Sequence, residues 1–295
     1  MNSPFALDDA AAYAAWRERK LDTAPRRLED ILVEVGDPRS LSPAQRARFI
    51  ELNAIANMAI YAGNTGRDPD KEIPRQLGAQ LGLSHIDSHW LTDSDDISPI
   101  SVRGAEERGE RRDFIPYTDK PIKWHTDGYY NTPEHTVRAL LLHCVESAAS
   151  GGDNQLLDHE IAYILLRDEN PDFIRALSQP DAMTIPARHD ADGRVARGEQ
   201  SGPVFSVDGQ GFLHMRYTAR AVNILWRDDA ATRAAVEALS RLLAQPTPWT
   251  LRGRLEPGMG LVSNNVLHDR SGFTETAGRR RLLYRARYYE RVTAR

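Results

Sequence analysis

Two imidazoles and one carboxylate are spaced along this chain as a metal ion would need them. His125 and Asp127 stand two residues apart in Trp124-His125-Thr126-Asp127-Gly128, and far downstream His268 closes Ser263-Asn264-Asn265-Val266-Leu267-His268. Extended backbone sends residues i and i+2 to one face, so the first pair can grip one edge of an ion while a distant strand delivers the third donor. Two neutral nitrogens and one carboxylate leave a divalent ion with net positive charge and three open positions. That is the pattern of a facial non-haem iron(II) centre, with room for a chelating cosubstrate and dioxygen.

Spacing alone is weak evidence in a chain with nine histidines, and His85-Ile86-Asp87, followed by His89, repeats it. Gly82 closes a helical pattern just ahead of that copy, and Ser84, Ser88, Thr92 and Asp93 surround it, so a polar helix exit and loop is expected there instead of a metal site. The His125 copy has different neighbours. Asp113 to Thr118 and then Pro121 to Trp124 form an aromatic and β-branched stretch suited to a strand entering a core. Val137 to Val145 is a second apolar run, holding Arg138, His143 and the lone Cys144, and it stops at the turn Ala149-Ser150-Gly151-Gly152-Asp153. Gly258 to Val262 reads as a turn into a strand whose polar end carries His268.

A third element, Arg279 to Tyr289, is rich in arginine. On a strand it puts Arg281, Leu283, Arg285 and Arg287 on one face and Leu282, Tyr284, Ala286 and Tyr288 on the other. A guanidinium inside a β core is costly unless a carboxylate meets it in a fork, which a dicarboxylate cosubstrate can do. The plain alternative is an exposed edge strand carrying charge against aggregation.

The order His125-x-Asp127, a long gap, His268 and then Arg281 resembles the Fe(II)/2-oxoglutarate-dependent dioxygenases, in particular the taurine dioxygenase and clavaminate synthase (TauD/TfdA-like) group. The resemblance runs from Phe114 to Tyr289. Its long gap is similar to the small-molecule branch and unlike the nucleic-acid and histone demethylases. It implies that His125, Asp127 and His268 ligate iron and that Arg281 holds the distal carboxylate of 2-oxoglutarate, with Arg279 or Arg280 replacing it if the register slips. Arg285 resembles the arginine that meets an anionic group of the substrate in several members. Gly151-Gly152-Asp153-Asn154 matches the family's Gly-Gly-Asp-Thr turn with Asn154 in the threonine position, where an amide can still donate. The implied reaction consumes 2-oxoglutarate and O2, releases succinate and carbon dioxide, and hydroxylates the substrate or else desaturates, cyclises or fragments it. The implied fold is a β-rich α+β one: a distorted double-stranded β-helix (jelly-roll) core with flanking helices.

Elements elsewhere suit such wrapping. Ser42 and Pro43 open a helix through Arg48, Leu52, Ile55 and Ala59 to about Gly63. Asp158 caps another through Leu166, a third covers Ala230 to Leu243, and Asp208-Gly209 turns a hairpin within Val204 to His214. With 295 residues, 41% hydrophobic and 27% charged, one catalytic domain is expected over 1–295, mainly helical over 1–100 and jelly-roll with helical insertions over 101–295. The nearly all-charged Arg103–Arg112 segment is expected to be a flap over the site.

A single cysteine excludes an internal disulfide and points to a reducing compartment. The helical pattern of Asp8, Asp9, Arg17, Glu18 and Arg19 argues against a signal peptide, and no apolar run reaches membrane length, so a cytoplasmic enzyme is expected. A net charge of -4 offers nucleic acid no general attraction. The expected partner is a small molecule, and a homo-oligomer is compatible with all of this.

For the substrate, Arg285 and Arg216 suit a carboxylate, sulfonate or amino acid, with Tyr129, Tyr130, Trp124 and Tyr217 as further lining candidates. Aromatic residues beside a metal would alternatively suit a quaternary ammonium compound, as in the carnitine-forming relatives. Two other classes share these ligands: a cupin-type metal-dependent hydrolase or isomerase that uses no 2-oxoglutarate, and a binding protein that has lost catalysis.

Overall fold

The apolar run after Val137 becomes the strand Ala139–Glu146, and the arginine-rich run becomes Leu282–Tyr288, paired with it antiparallel. These are two of the strands in a computed structural model that describes residues 3–88, 95–102, 114–190, 192–220 and 224–294. The fold is α+β, with six α-helices among the described residues. His89 and the Arg103–Arg112 segment expected as a flap lie outside the described residues.

The chain clusters into two units. One comprises Pro25–Lys123, Val137–Leu156 and Leu251–Arg295. Its six-stranded sheet runs Leu32–Glu34, Met58–Ala62, Met259–Ser263, Ala139–Glu146, Leu282–Tyr288 and Ser98–Ile100 in hydrogen-bonded order. Every pairing in it is antiparallel except the first. A four-stranded sheet runs Leu251–Gly253, Asn154–Leu157, Leu267–Arg270 and Ile122–His125. Ile60, Leu261 and Leu142 from the first sheet and Leu156 and His268 from the second line one hollow, so the two sheets bring their inner faces together around it.

Register decides what each face carries. Ile60, Leu261, Leu142 and Arg285 are successive cross-strand partners, and residues directly opposite share a face, so Arg285 belongs to the same inner row as the leucines of the hollow. The adjacent row, Tyr61, Gly260, His143 and Tyr284, points the other way. That row explains a histidine in an apolar run: Tyr61 stacks on His143 and their hydroxyl and Nδ1 are 2.8 Å apart. A Cβ on Gly260 would come within 2.4 Å of the Tyr61 ring, so glycine is what makes room. Burial drives the pKa of His143 down to about 4, keeping it neutral.

Two local expectations change. The helix opened by Ser42 and Pro43 has its capping box with Gln45 but ends at Ala56, where Asn57 turns left-handed at φ 56°. Met58–Ala62 then runs as a strand. Being buried along nearly its whole length, it shows no polar alternation and can pass for a continuing helix. Upstream of the metal pair, Ile115–Tyr117 is a single 3-10 turn with Pro116 inside it, and the strand begins only at Ile122. The first hundred residues also contribute three strands of the large sheet that their helical pattern had concealed.

The other unit comprises Met1–Ala24, Trp124–Thr136 and Leu157–Thr250. It holds the helices Ala10–Thr23, His159–Glu169, Pro171–Leu177 and Ala230–Ala244 and the expected hairpin, formed by Phe205–Val207 and Leu213–Met215. Asp9, Asp158 and Asp229 cap three of those helices, each accepting from a backbone N–H of the first turn. No described helix is long and apolar enough to cross a membrane.

Lys20 joins the first helix to the second. Its ammonium lies 2.6 Å from Asp158 and 2.5 Å from Glu160, with all three side chains largely buried. Lys20→Met would leave two carboxylates facing an apolar neighbour, and removing one partner of a buried ion pair costs about 3–5 kcal/mol. A large drop in the urea midpoint is expected; an unchanged midpoint would show that this staple contributes nothing.

Candidate active site

Thr126 sets the direction of its neighbours. Its backbone N–H donates to the Tyr217 carbonyl at 2.9 Å, and its hydroxyl accepts from the Tyr217 N–H at 3.1 Å. With Thr126 wholly buried against that segment, the residues on either side project the other way. His125 ends the strand, and Gly128, at φ 69°, turns the chain immediately after Asp127. His125 Nε2 and Asp127 Oδ1 are 3.6 Å apart.

His268 lies on the strand Leu267–Arg270, neighbour of Ile122–His125 in the four-stranded sheet. Its Nδ1 is 2.9 Å from the Val266 carbonyl, a contact only an N–H can make, so Nε2 carries the lone pair available to a metal. One ligand atom from each of His125, Asp127 and His268 lies within 4.8 Å of the others. That separation is what one ion bound by all three would require.

The second His-x-Asp goes elsewhere. His85 is exposed and its Nδ1 meets Glu290. Asp87 is buried, paired with Arg287 and accepting from the Tyr289 hydroxyl at 2.9 Å. The expected solvated role fits His85 but not Asp87, which neutralises one member of the cationic face of the last strand. No sequence spacing announced that partner.

Arg281 precedes the last strand and is only 6% exposed. Together with Gly152, Asn154 and Leu283 it lines a second hollow, which shares Asn154, Arg254 and Leu255 with the hollow lined by His268. Its Nη1 is buried and has no hydrogen-bond partner among the described residues. Burial pushes the Arg281 pKa down to about 10. Two cations lie over the Phe273 ring, Arg270 at 4.8 Å and Arg281 at 5.1 Å from its centroid. Arg270, pulled down to about 9 by burial and then by Arg281, donates to the Pro116, Thr118 and Lys120 carbonyls. Arg281 keeps a donor for something else. A carboxylate would match that group chemically, satisfying an orphaned buried N–H and offsetting a buried charge.

The double glycine is sterically required. A Cβ on Gly151 would lie 2.3 Å from the Gly272 carbonyl, and both glycines have positive φ. Asn154 faces both hollows, and one of its amide N–H groups donates to the Asp269 carbonyl at 2.7 Å, leaving the second for a ligand. Arg254, in both hollows, went unnoticed in the sequence because one arginine in a polar stretch carries no signal. Cys144 is buried, and burial lifts its thiol to about 12, so it is a packing group and not a nucleophile.

Among the substrate candidates, Arg285 sits in the inner row already described, and Tyr129 and Tyr130 pack edge to face at 5.1 Å directly after the metal pair. Tyr217 is buried, and burial pushes its hydroxyl up to about 12. Arg216 departs from expectation. It donates to the carbonyls of Tyr129, Met183, Gly202 and Gln200 at 2.7, 2.9, 3.3 and 2.8 Å. Four of its five N–H groups therefore hold backbone and are unavailable to a substrate anion.

The family model described as "Taurine catabolism dioxygenase TauD, TfdA family" matches residues 86–287. A uridine-5'-phosphate dioxygenase of Amycolatopsis sp is 33% identical over 282 residues, 89% of this chain and 98% of that protein. Among solved structures, asparagine oxygenase in complex with Fe(II), 2S,3S-3-hydroxyasparagine and succinate aligns with a TM-score of 0.59 at 13% identity, covering 84% of this chain and 80% of that one. AAD-2 in complex with Mn(II) and N-oxalylglycine aligns with a TM-score of 0.58, also at 13% identity, covering 90% and 96%. At such identity these two structures establish a shared fold.

Two outcomes test the site as drawn. Arg216→Met should lower stability by about 2–4 kcal/mol through the stranded carbonyls, read as a shifted denaturation midpoint; an unshifted midpoint would return Arg216 to the ligand-binding candidates. His85→Ala should leave iron stoichiometry intact whereas His125→Ala reduces it, as metal analysis after gel filtration will show.

Proposed function

The chain belongs to the taurine catabolism dioxygenase TauD, TfdA family, and from that premise we propose that it is an Fe(II)- and 2-oxoglutarate-dependent oxygenase of a small anionic molecule. Uridine-5'-phosphate or a near relative is the proposed substrate, supported by the likeness to the uridine-5'-phosphate dioxygenase across nearly the whole of both proteins. The two sheets are then the faces of a distorted double-stranded β-helix, the jelly-roll core of one catalytic domain.

His125, Asp127 and His268 form the facial triad in this proposal, and their convergence within 4.8 Å is the observation that carries it. Iron held by these three residues would, with O2 and 2-oxoglutarate, supply the power to oxidise a substrate carbon, with succinate and carbon dioxide as the co-products. The chain's own groups hold and orient. The Val266 carbonyl fixes the His268 ring, and Arg281 receives the distal carboxylate of 2-oxoglutarate. Asn154 aligns that cosubstrate along its length, and Leu142, Leu156, Leu255 and Leu261 keep water from the hollow. Arg285 meets a negative group of the substrate from the same inner row as Leu142.

A quaternary ammonium substrate is disfavoured on electrostatic grounds. Arg197 already lies over the Tyr130 ring, 5.9 Å from its centroid, so a second cation would meet like charge. A hydrolase or isomerase without 2-oxoglutarate would have no use for the buried N–H of Arg281.

Anaerobic addition of Fe(II) and then 2-oxoglutarate is expected to produce the visible charge-transfer band of the chelate. Asp127→Ala and His268→Ala should abolish it. Arg281→Gln should require about a hundredfold more 2-oxoglutarate, the loss expected for charge-assisted hydrogen bonds to a carboxylate. An iron-loaded wild-type protein that shows no band would overturn the reading.

A further inference from the structure

The strand that presents Asn154 and the strand that presents His268 are neighbours in the four-stranded sheet, and each is four residues long. So short a ladder holds few bonds, and a slip of one residue would turn His268 away from the metal position. Side chains supply what the ladder lacks. One Asp269 carboxylate oxygen accepts from the Gln155 backbone N–H at 2.8 Å, and the other accepts from the Gln155 side-chain amide at 3.0 Å. The Asn154 amide donates to the Asp269 carbonyl at 2.7 Å. Just beyond, the Asp153 N–H donates to the Ser271 hydroxyl at 3.0 Å, and the Ser271 N–H donates to the Asp153 carbonyl at 2.8 Å.

Alternation places the Gln155–Asp269 pair on the far face of the sheet. Asn154 and Leu156 both line the hollow that His268 reaches, so Gln155 between them points the other way, as does Asp269 beside His268. Neither side chain is aimed at the metal position or at the cosubstrate. Each acts through the strand it holds. We infer that Asp269 and Gln155 are positioning residues that fix the register of these two strands, and thereby set the third metal donor and the Asn154 amide as one unit. Metal affinity and cosubstrate affinity then depend on a pair that touches neither ligand. The inference rests on the oxygenase reading and deepens it by naming what aligns the site. A carboxylate next to a metal ligand could instead act through its charge, and substitution separates the two. Asp269→Leu removes both bonds and the charge. Asp269→Asn removes only the charge, because its amide oxygen still accepts from the Gln155 N–H and its NH2 can donate to the Gln155 side-chain oxygen once that amide turns over.

Anaerobic equilibrium dialysis against Fe(II), followed by titration of the iron-loaded protein with 2-oxoglutarate, tests it on the full chain. Asp269→Leu should weaken both affinities about tenfold or more, the usual cost of losing a group that orients a metal ligand. Asp269→Asn should stay near wild type. Gln155→Leu, which keeps the backbone bond, should lose less of both and serves if Asp269→Leu does not fold. Hydrogen exchange should find the Gln155 N–H deprotected in Asp269→Leu and protected in Asp269→Asn. Lys20→Met, destabilised elsewhere, should keep both affinities. Unchanged affinities in Asp269→Leu and Gln155→Leu, a loss confined to Fe(II), a loss in Asp269→Asn as large as in Asp269→Leu, or an equal loss in Lys20→Met would each overturn the positioning role while the wild-type chelate keeps the oxygenase reading in place. A wild type that binds Fe(II) but forms no chelate would sink the oxygenase reading, and the Fe(II) arm would then decide alone: loss in Asp269→Leu with recovery in Asp269→Asn supports the pair, and no loss overturns it. A wild type that binds no Fe(II) overturns both.

Discussion

Thr126 is tied twice to Tyr217, through its backbone N–H and through its hydroxyl, and the direction of both neighbouring donors follows from that tie. Because side chains alternate along extended backbone, a slip of one residue would turn His125 and Asp127 away from the metal position and Thr126 toward it. The pairing is held from the far side as well, since the bridge between His125 and Thr218 and the bond from Ala219 to Trp124 continue it. A metal site needs its donors placed within a few tenths of an ångström, and hydrogen-bonded strands provide that more reliably than loops do.

Charge burial is the second organising problem. The chain places Arg270, Arg281 and Arg287 in its interior and gives each a different answer. Arg287 has a carboxylate, Asp87. Arg270 has three backbone carbonyls and the face of Phe273. Arg281 shares that ring, lines a hollow and, alone of the three, makes no side-chain hydrogen bond or ion pair among the described residues. A protein interior tolerates such a group where a ligand completes it, which is why the least satisfied of the three is the informative one.

The same residue type therefore means different things at different positions. Arg216 looked like an anion receptor and is a backbone peg, while Arg197, which nothing in the local pattern singled out, lies over the ring of Tyr130. Two copies of His-x-Asp diverge in the same way: one keeps its donors together, and the other splits into an exposed contact with Glu290 and a buried pair with Arg287. Arginine and histidine are read by their partners, and partners come from distant segments.

From its residues alone the chain declares its donors, the strand character of Ala139–Glu146 and Leu282–Tyr288, the Asp158 and Ser42 caps, and the hairpin around Asp208-Gly209, because these depend on local periodicity and on side chains bonding to backbone a few residues away. Met58–Ala62 escaped that reading, since a strand buried on both faces has no alternation to detect. Folding decided which arginine would be satisfied by carbonyls, which by a carboxylate, and which would face a hollow with a donor to spare. Those outcomes depend on cross-strand register and on contacts between segments as far apart as Asp87 and Arg287, and no rule of short-range spacing carries that information.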